Sequence, residues 1–160
     1  MFVWIEGRNV YMRWVRLAIF ILVVVGGGSL IGGLTRPGEW YTALEKPFFD
    51  PPNWLFGVVW PVLYVIIAVA GWRVWERRPG GMAMRLWALQ LALNFAWSPV
   101  FFVAHSIAGA LAIVLALFVT IVAFMVVAAR VDRGAAALFA PYAAWVAFAT
   151  LLNAAILWLN

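Results

Sequence analysis

The chain has 160 residues and a formal net charge of +5; 68% of its residues are hydrophobic and only 11% are charged. Soluble domains are about half apolar and about a quarter charged, so the composition excludes an ordinary soluble domain and predicts an integral membrane protein. The chain contains no cysteine, which excludes disulfides, thiolate metal sites and cysteine-based catalysis.

Uncharged runs long enough to cross a bilayer follow one another along the sequence. The runs are Leu17–Thr35, 51–72, Leu86–Ala129 and 134–160, with 19, 22, 44 and 27 residues. The 44-residue run suits two helices, broken from Ser98-Pro99 to His105-Ser106. We therefore predict an all-α membrane protein in a single domain, 1–160: a five-helix transmembrane bundle with a long structured loop between helices 1 and 2. The expected helices span about residues 15–35, 54–75, 83–103, 106–129 and 135–158.

The N-terminal segment resembles a signal peptide, because three arginines precede its apolar run. The run is long for a cleaved segment, and it continues through Gly26–Gly33 without an A-x-A-like cleavage site. We therefore expect a retained helix.

The basic residues are distributed unevenly between the two sides of such a bundle. Five spans place nine arginines on one side: Arg8, Arg13, Arg16, Arg73, Arg77, Arg78, Arg85, Arg130 and Arg133. Only Arg36 and Lys46 fall on the other side, in the first connector. The positive-inside rule then predicts a cytoplasmic N-terminus and an external first connector. This topological role accounts for the arginines better than binding of nucleic acid does, and we expect no nucleic-acid partner.

The first connector is unusual, because residues 40–54 contain three prolines and five aromatic residues. Proline fixes φ and biases the preceding residue toward extended geometry, which stiffens a loop. Ordered aromatic loops on a rigid scaffold are common sites of binding. The segment is therefore predicted to form a shaped lid over a binding site.

The predicted spans carry amides and hydroxyls but no acidic or basic side chain at mid-span. Proton-coupled pumps place carboxylates or histidines there, and hydrolases need a paired acid and base. Both classes are therefore disfavoured, and no metal site is expected. The single histidine, His105, is expected at the turn between spans three and four, as a surface residue or an interfacial hydrogen-bonding group.

Eleven tryptophans are present, and ten of them fall into two groups by position. One group lies near predicted helix ends and suits an interfacial belt: Trp14, Trp72, Trp75, Trp87 and Trp158. The other group lies deeper or in the lid: Trp40, Trp54, Trp60, Trp97 and Trp145. Indoles have broad flat faces, so the second group is either helix packing or a slot for a planar ligand.

Residues with a four-position spacing form patterns in three spans. Ala88, Ala92 and Ala96 form a smooth stripe on span three, and Gln90 and Asn94 share another face of the same helix. Gly28-x-x-x-Gly32 in span one is a second small-residue pattern suited to close helix contact. Both patterns are candidates for a subunit contact, and we favour the alanine stripe. On span five, one face carries Pro141, Trp145, Ala149 and Asn153.

Three blocks of sequence together resemble the signature of the translocator protein family, also called tryptophan-rich sensory proteins or peripheral benzodiazepine receptors. The blocks are Trp40-Tyr41-x-x-Leu44-x-Lys46-Pro47-x-x-x-Pro51-Pro52-x-Trp54-x-Phe56-x-x-x-Trp60, Leu93-Asn94-Phe95-Ala96-Trp97-Ser98-Pro99-x-Phe101-Phe102 and Pro141-Tyr142-x-x-Trp145-x-x-Phe148-Ala149-Thr150-x-Leu152-Asn153. Such long, ordered blocks, spread over most of the chain, are unlike a chance match.

The resemblance implies a five-helix bundle, commonly a homodimer, with a ligand cavity closed by the helix 1–2 loop. Members bind porphyrins such as protoporphyrin, and many bind sterols or synthetic apolar ligands, so a tetrapyrrole is the expected ligand and no obligatory cofactor is expected. By motif position the binding residues would be Trp40 and Tyr41 in the lid, and Trp60, Asn94, Trp97, Trp145 and Ala149 below it. Arg36 or Lys46 near the mouth would attract porphyrin propionates.

The resemblance leaves three functions open. The leading expectation is a receptor or sensor of tetrapyrroles, and the alternatives are a passive porphyrin or lipid transporter and a light-dependent porphyrin-degrading enzyme. In the last case, Trp40 and Trp145 would be the radical-forming residues. The sterol pattern of animal members needs a tyrosine followed by lysine or arginine, which residues 152–160 lack, so sterol binding there is disfavoured and a bacterial membrane protein is favoured.

Overall fold

The computed structural model describes the backbone of residues 3–160 and the side chains from residue 10 onward. Five helical spans in this part of the chain are long and apolar enough to cross a membrane. They are Val10–Leu34, Asn53–Arg77, Met82–Val103, Ile107–Ala128 and Arg133–Leu159. The predicted all-helical fold with five membrane spans is therefore confirmed, while Arg8 of the basic N-terminal segment lies outside the described side chains.

Seven α-helices and two π-helical segments make up these spans and the lid. The α-helices are α1 (Val3–Ile21), α2 (Gly27–Leu34), α3 (Glu39–Ala43), α4 (Asn53–Arg77), α5 (Met82–Ser98), α6 (Ile107–Ala128) and α7 (Arg133–Leu159). The π-helical segments, Leu22–Gly26 and Pro99–Val103, join α1 to α2 and extend α5. The first helix begins well before residue 15, because no proline interrupts the polar segment that precedes the apolar run.

Span three ends at Val103, in line with the expected helix 83–103, although the break in the sequence pattern begins at Ser98-Pro99. The helix passes through Pro99 as a π-helical segment and ends at Ala104, whose N–H donates to the Pro99 carbonyl at 3.0 Å. Proline lacks an N–H and crowds the preceding turn, and the wider π-helical turn accommodates this. The chain then reverses at His105, which has a positive φ of 52°, and the Ser106 hydroxyl caps α6 by accepting from Gly109 N–H.

Tryptophans at the helix ends do not all lie at the surface. Trp14 and Trp158 are 60% and 90% exposed, as a membrane-interface belt predicts. Trp87 is only 6% exposed, and its N–H donates to the Ile67 carbonyl at 2.9 Å. The prediction that Trp87 belongs to the belt is therefore wrong: Gly71 on α4 leaves the space that the indole fills.

The two glycines of Gly28-x-x-x-Gly32 have different surroundings. Gly28 is buried against the Tyr64 ring, so closely that a Cβ atom there would overlap the ring. A Cβ at Gly32 would meet nothing within 4 Å. Gly28 therefore serves packing between spans one and two of the same chain, which weakens this pattern as a subunit contact.

A buried carboxylate joins the spans at the arginine-rich end of the bundle. Asp132, 5% exposed, caps α7 by accepting from Ala135 N–H at 3.0 Å, and the same oxygen accepts from Arg73 Nη2 at 2.9 Å. Its second oxygen lies 2.8 Å from Arg77 Nε. Burial raises the pKa of Asp132, but the hydrogen bonds from Arg73 and Ala135 and the charges of both arginines outweigh it and lower the pKa overall.

An Asp132→Asn variant is expected to lose about 1–2 kcal/mol of stability near neutral pH, because asparagine keeps the cap but not the charge. The folded-state pKa is depressed, so the carboxylate contributes stability above its unfolded-state pKa and loses it as the pH falls through the folded-state value. The difference in stability between wild type and variant should therefore become smaller as the pH is lowered. Thermal unfolding in detergent at several pH values checks this, and a difference independent of pH contradicts it.

Candidate functional site

The lid starts with helix α3, which packs over the turn between spans three and four. Trp40 stacks on His105, with ring centroids 4.4 Å apart and planes 18° from parallel, and meets the edge of Phe101 at 5.6 Å. Just before the lid, at the end of α2, Thr35 is joined to Ser98 by a hydrogen bond between their hydroxyls. The lid is thus held on the helix 3–4 turn by an aromatic stack. His105 is the exposed half of that stack.

Tyr41 is the buried residue of the lid, with 6% of its surface exposed. Its ring meets the edges of Phe101 and Phe102 at 6.0 and 5.4 Å, and the Lys46 ammonium lies 4.3 Å from the ring centroid. Burial, together with the Asp50 carboxylate, raises the pKa of Tyr41 to about 12, so the phenol stays neutral. Lys46 therefore contacts the lid's own aromatic ring.

The far end of the lid is fastened to the end of span five. The Asn160 side chain accepts from Glu45 N–H and donates to the Glu45 carbonyl, both at 3.0 Å. Phe49 meets Phe148 of α7 with ring centroids 6.3 Å apart. These contacts close the lid against α7.

Beneath the lid, Trp97 joins the aromatic wall to a polar group. Its ring stacks on Phe101 at 5.1 Å, and its N–H donates to Asn153 Oδ1 at 3.1 Å. Asn153 in turn donates to the Ile107 carbonyl at the start of α6. Trp97 therefore has a fixed orientation.

Two further predicted site residues, Trp145 and Trp60, pack against other aromatic side chains. Trp145 contacts Phe56 and Phe148, each with ring centroids 5.7 Å away, and Trp60 packs at 5.2 Å against Tyr64. The Trp145 indole nitrogen is buried, and no described residue accepts from it. Ala149 is half-buried one helical turn beyond Trp145, and its small side chain leaves space beside the helix.

A buried polar cluster lies deeper in the bundle, on α5 and α7. Asn94 Nδ2 donates to the Tyr142 hydroxyl at 2.9 Å, and that hydroxyl donates to Gln90 Oε1 at 3.0 Å. Gln90 and Tyr142 are completely buried, and Asn94 is 6% exposed. The amide nitrogen of Gln90 has no acceptor in the described part of the chain.

Five of the seven predicted site residues fall into connected groups, whereas Trp60 contacts Tyr64 and no aromatic contact or hydrogen bond joins Trp60 or the Ala149 side chain to these groups in the described part of the chain. Trp40, Tyr41 and Trp97 share the Phe101–Phe102 wall, Trp145 is linked to the lid through Phe148, and Asn94 belongs to the polar cluster. Sequence reasoning left Gln90, Tyr142, Phe101 and His105 out of the site. The four-residue spacing of Gln90 and Asn94 placed the two amides on one face, which was the available signal for Gln90.

The side chains of this region are of the kinds that suit contact with a flat apolar surface. The region presents several indole and phenyl faces with a few amide and hydroxyl groups, the usual composition of a small-molecule site. Among the described residues, no cluster of three His, Asp or Glu side chains could hold a metal ion.

Comparisons with known proteins agree on a single family. The model of the TspO/MBR family matches residues 19–159. The chain is 38% identical over 149 residues to the tryptophan-rich sensory protein of Cereibacter sphaeroides, covering 93% of this chain and 94% of the relative. It is 39% identical over 130 residues to the tryptophan-rich protein TspO of Chlorobaculum tepidum, covering 78% and 82%. It is 37% identical over 134 residues to the human translocator protein, covering 79% of each. This chain, an integral membrane protein with five apolar spans, therefore belongs to the TspO/MBR family.

Proposed function

We propose that the protein is a membrane receptor or sensor that binds tetrapyrroles of the protoporphyrin type, and other apolar ligands, beneath the helix 1–2 lid. Trp40 and Tyr41 cover the ligand, while Trp60, Trp97 and Trp145 provide faces for stacking. Asn94 supplies a polar contact, and Ala149 leaves room beside Trp145.

One observation supports this proposal above the others: two buried N–H donors, one in the polar cluster and one beside Phe56 and Phe148, have no acceptor among the described residues. They belong to Gln90 and Trp145, and no described residue accepts from either. A buried donor without a partner costs about 1–3 kcal/mol, so buried polar groups are almost always paired. A carbonyl or carboxylate oxygen on a bound ligand would satisfy them.

The lid contacts suggest how such a ligand enters. Tyr41 and Trp40 touch Phe101 directly, so a planar molecule binds by separating the lid from this wall. The opening breaks the Trp40–His105 stack and the two Asn160–Glu45 hydrogen bonds. These are weak, local contacts, which suits a lid that opens repeatedly.

The charge distribution supports an orientation with the lid outside a bacterial cell membrane. The described arginines near the opposite end are Arg13, Arg16, Arg73, Arg77, Arg78, Arg85, Arg130 and Arg133, against Arg36 and Lys46 in the lid connector. Positive residues are retained on the cytoplasmic side, so this end faces the cytoplasm.

We also propose a homodimer through span three. Ala88 and Ala92 are exposed on α5, and a stripe of small side chains allows close helix approach. The polar residues Gln90 and Asn94 point into the bundle, so the same helix contributes to both the subunit contact and the ligand site.

Titration of the purified protein with protoporphyrin, followed by tryptophan quenching, tests the proposed function. Saturable quenching is expected. Asn94→Ala and Trp145→Phe should each lower the affinity for protoporphyrin by about three- to tenfold. Asn94→Ala removes a polar contact, and Trp145→Phe removes a stacking surface with its N–H. Trp158→Phe is the matched control, because Trp158 is 90% exposed. The affinity of this variant for protoporphyrin should stay within about twofold of wild type.

The opposite result has a distinct signature. Linear quenching that does not saturate, and that is the same in all variants, would mean that the porphyrin only partitions into detergent. Circular dichroism and thermal unfolding of each variant confirm that a lost signal is not lost folding.

A further inference from the structure

A cleft lies at the arginine-rich end of the bundle, on the outer surface between spans one and two. Its volume is about 140 Å³, and it is lined by Val10, Arg13, Trp14 and Trp72. Trp14 and Trp72 stack with ring centroids 6.3 Å apart and planes 20° from parallel. The cleft is at the opposite end of the spans from the lid, so the proposed tetrapyrrole site does not account for it.

The cleft combines a positive charge with an indole donor that lacks a partner. The Arg13 guanidinium lies 5.8 Å from the centre of the Trp72 ring. The indole nitrogen of Trp72 is buried, and the described part of the chain supplies no acceptor for it. An oxygen atom that enters beside Trp72 would give this N–H an acceptor and place a negative charge against Arg13.

Among the described side chains around the cleft, cationic groups outnumber anionic ones. Arg13 Nε lies 3.2 Å from Glu76 Oε2, and Arg16 Nη1 lies 2.9 Å from Glu76 Oε1, so a single carboxylate serves two arginines. Nearby, Asp132 also serves two arginines, Arg73 and Arg77. Counted over these described side chains, Arg13, Arg16 and Glu76 carry a net charge of one positive unit, which favours an anion.

The position of the cleft favours a lipid as the source of that anion. Trp14 is 60% exposed on α1 and lies near the first residue of the apolar span Val10–Leu34, where a membrane interface is expected. Leu22, about two helical turns further along the same side of the span, is 72% exposed and offers apolar surface for an acyl chain. Interfacial arginines and tryptophans at a cytoplasmic helix end are the groups that contact lipid headgroups.

We propose that this cleft binds the phosphate group of an anionic phospholipid, with Arg13 pairing with the phosphate and the Trp72 N–H donating to one of its oxygens. Trp14 closes over the headgroup from the outer side. The lipid bridges spans one and two at the cytoplasmic end and leaves the lid end free.

Native mass spectrometry of the purified protein with phosphatidylglycerol, compared with phosphatidylcholine, tests the proposal. Wild type should retain phosphatidylglycerol preferentially. Trp72→Phe, which keeps the stacked ring but removes the N–H, and Arg13→Gln should each lower this retention by about five- to tenfold. The matched controls are Trp75→Phe and Arg78→Gln, which make the same chemical changes at the same end outside the cleft, and they should stay within about twofold of wild type.

Two results would overturn the proposal. Equal losses of phosphatidylglycerol retention in the cleft variants and in the controls would mean that the lipid is attracted by the overall positive charge and not bound at a specific site. Displacement of the lipid by inorganic phosphate at matched concentration would mean a site for free phosphate. Because Arg13→Gln also removes a salt bridge, the stabilisation that phosphatidylglycerol adds over phosphatidylcholine is measured for each variant, and it should vanish in the cleft variants whatever their baseline stability.

Discussion

A Gly71→Ala variant is expected to be about 3 kcal/mol less stable than wild type, although it adds only one methyl group. The new Cβ would overlap the Trp87 indole, including its nitrogen at 2.5 Å. Trp87 cannot withdraw, because it is buried, bonded to the Ile67 carbonyl and packed at 5.0 Å against Phe20. The clash therefore costs both packing and a buried hydrogen bond. Thermal or denaturant unfolding in detergent measures the loss.

The matched control for this substitution is Gly57→Ala on the same helix. A Cβ at Gly57 meets nothing within 4 Å, and alanine favours helix over glycine, so this variant should be neutral or slightly stabilised. A Gly71→Ala/Trp87→Leu double variant removes the clashing ring, and its loss should be smaller than the sum of the two single losses. Additive losses, or equal stability of Gly71→Ala and Gly57→Ala, would contradict the packing explanation.

The spans could be predicted from the sequence because the cost of placing charge in hydrocarbon is large and local. Uncharged runs therefore mark the spans directly, and the start of span two near Trp54 follows from the prolines before it. The lid was predicted from the prolines and aromatic residues of residues 40–54, but its first turn, Glu39–Ala43, is helical where the proline-rich composition suggested extended geometry. Pro37 lies before that turn and Pro47 after it, so no proline falls inside Glu39–Ala43 to prevent the helical geometry.

The features that escaped prediction depend on partners far away in the chain. Trp87 is near a helix end in sequence, yet its depth is set by Gly71 on a different helix. Asn160 holds the lid closed through hydrogen bonds with the backbone of Glu45, and no local sequence pattern predicts this pairing. The Tyr142 hydroxyl similarly joins α7 to two amides on α5. Periodicity reports which face a side chain occupies, but not what the neighbouring helix places opposite it.

A Tyr142→Phe variant is expected to lose about 2 kcal/mol of stability and most of its affinity for protoporphyrin. Removing one oxygen leaves Asn94 without its acceptor and Gln90 Oε1 without its donor, both inside the bundle. Released from these bonds, the two amides no longer have the orientation that the proposed ligand site requires. Unfolding in detergent and porphyrin titration measure the two effects on one preparation.

A variant in which the whole cluster is apolar separates the role of these residues in stability from their proposed role in porphyrin binding. Replacing Gln90 and Asn94 by leucine together with Tyr142→Phe removes every unpaired group at once, so stability should recover by at least about 1 kcal/mol relative to Tyr142→Phe alone. Porphyrin affinity should not recover, because no polar group remains in the cluster. A triple variant that binds protoporphyrin as wild type does would show that the cluster only holds helices together, and that stacking on the tryptophans is sufficient for binding. Recovered stability with lost binding would instead show that the cluster is kept for the ligand, at a cost to the fold that an apolar core avoids.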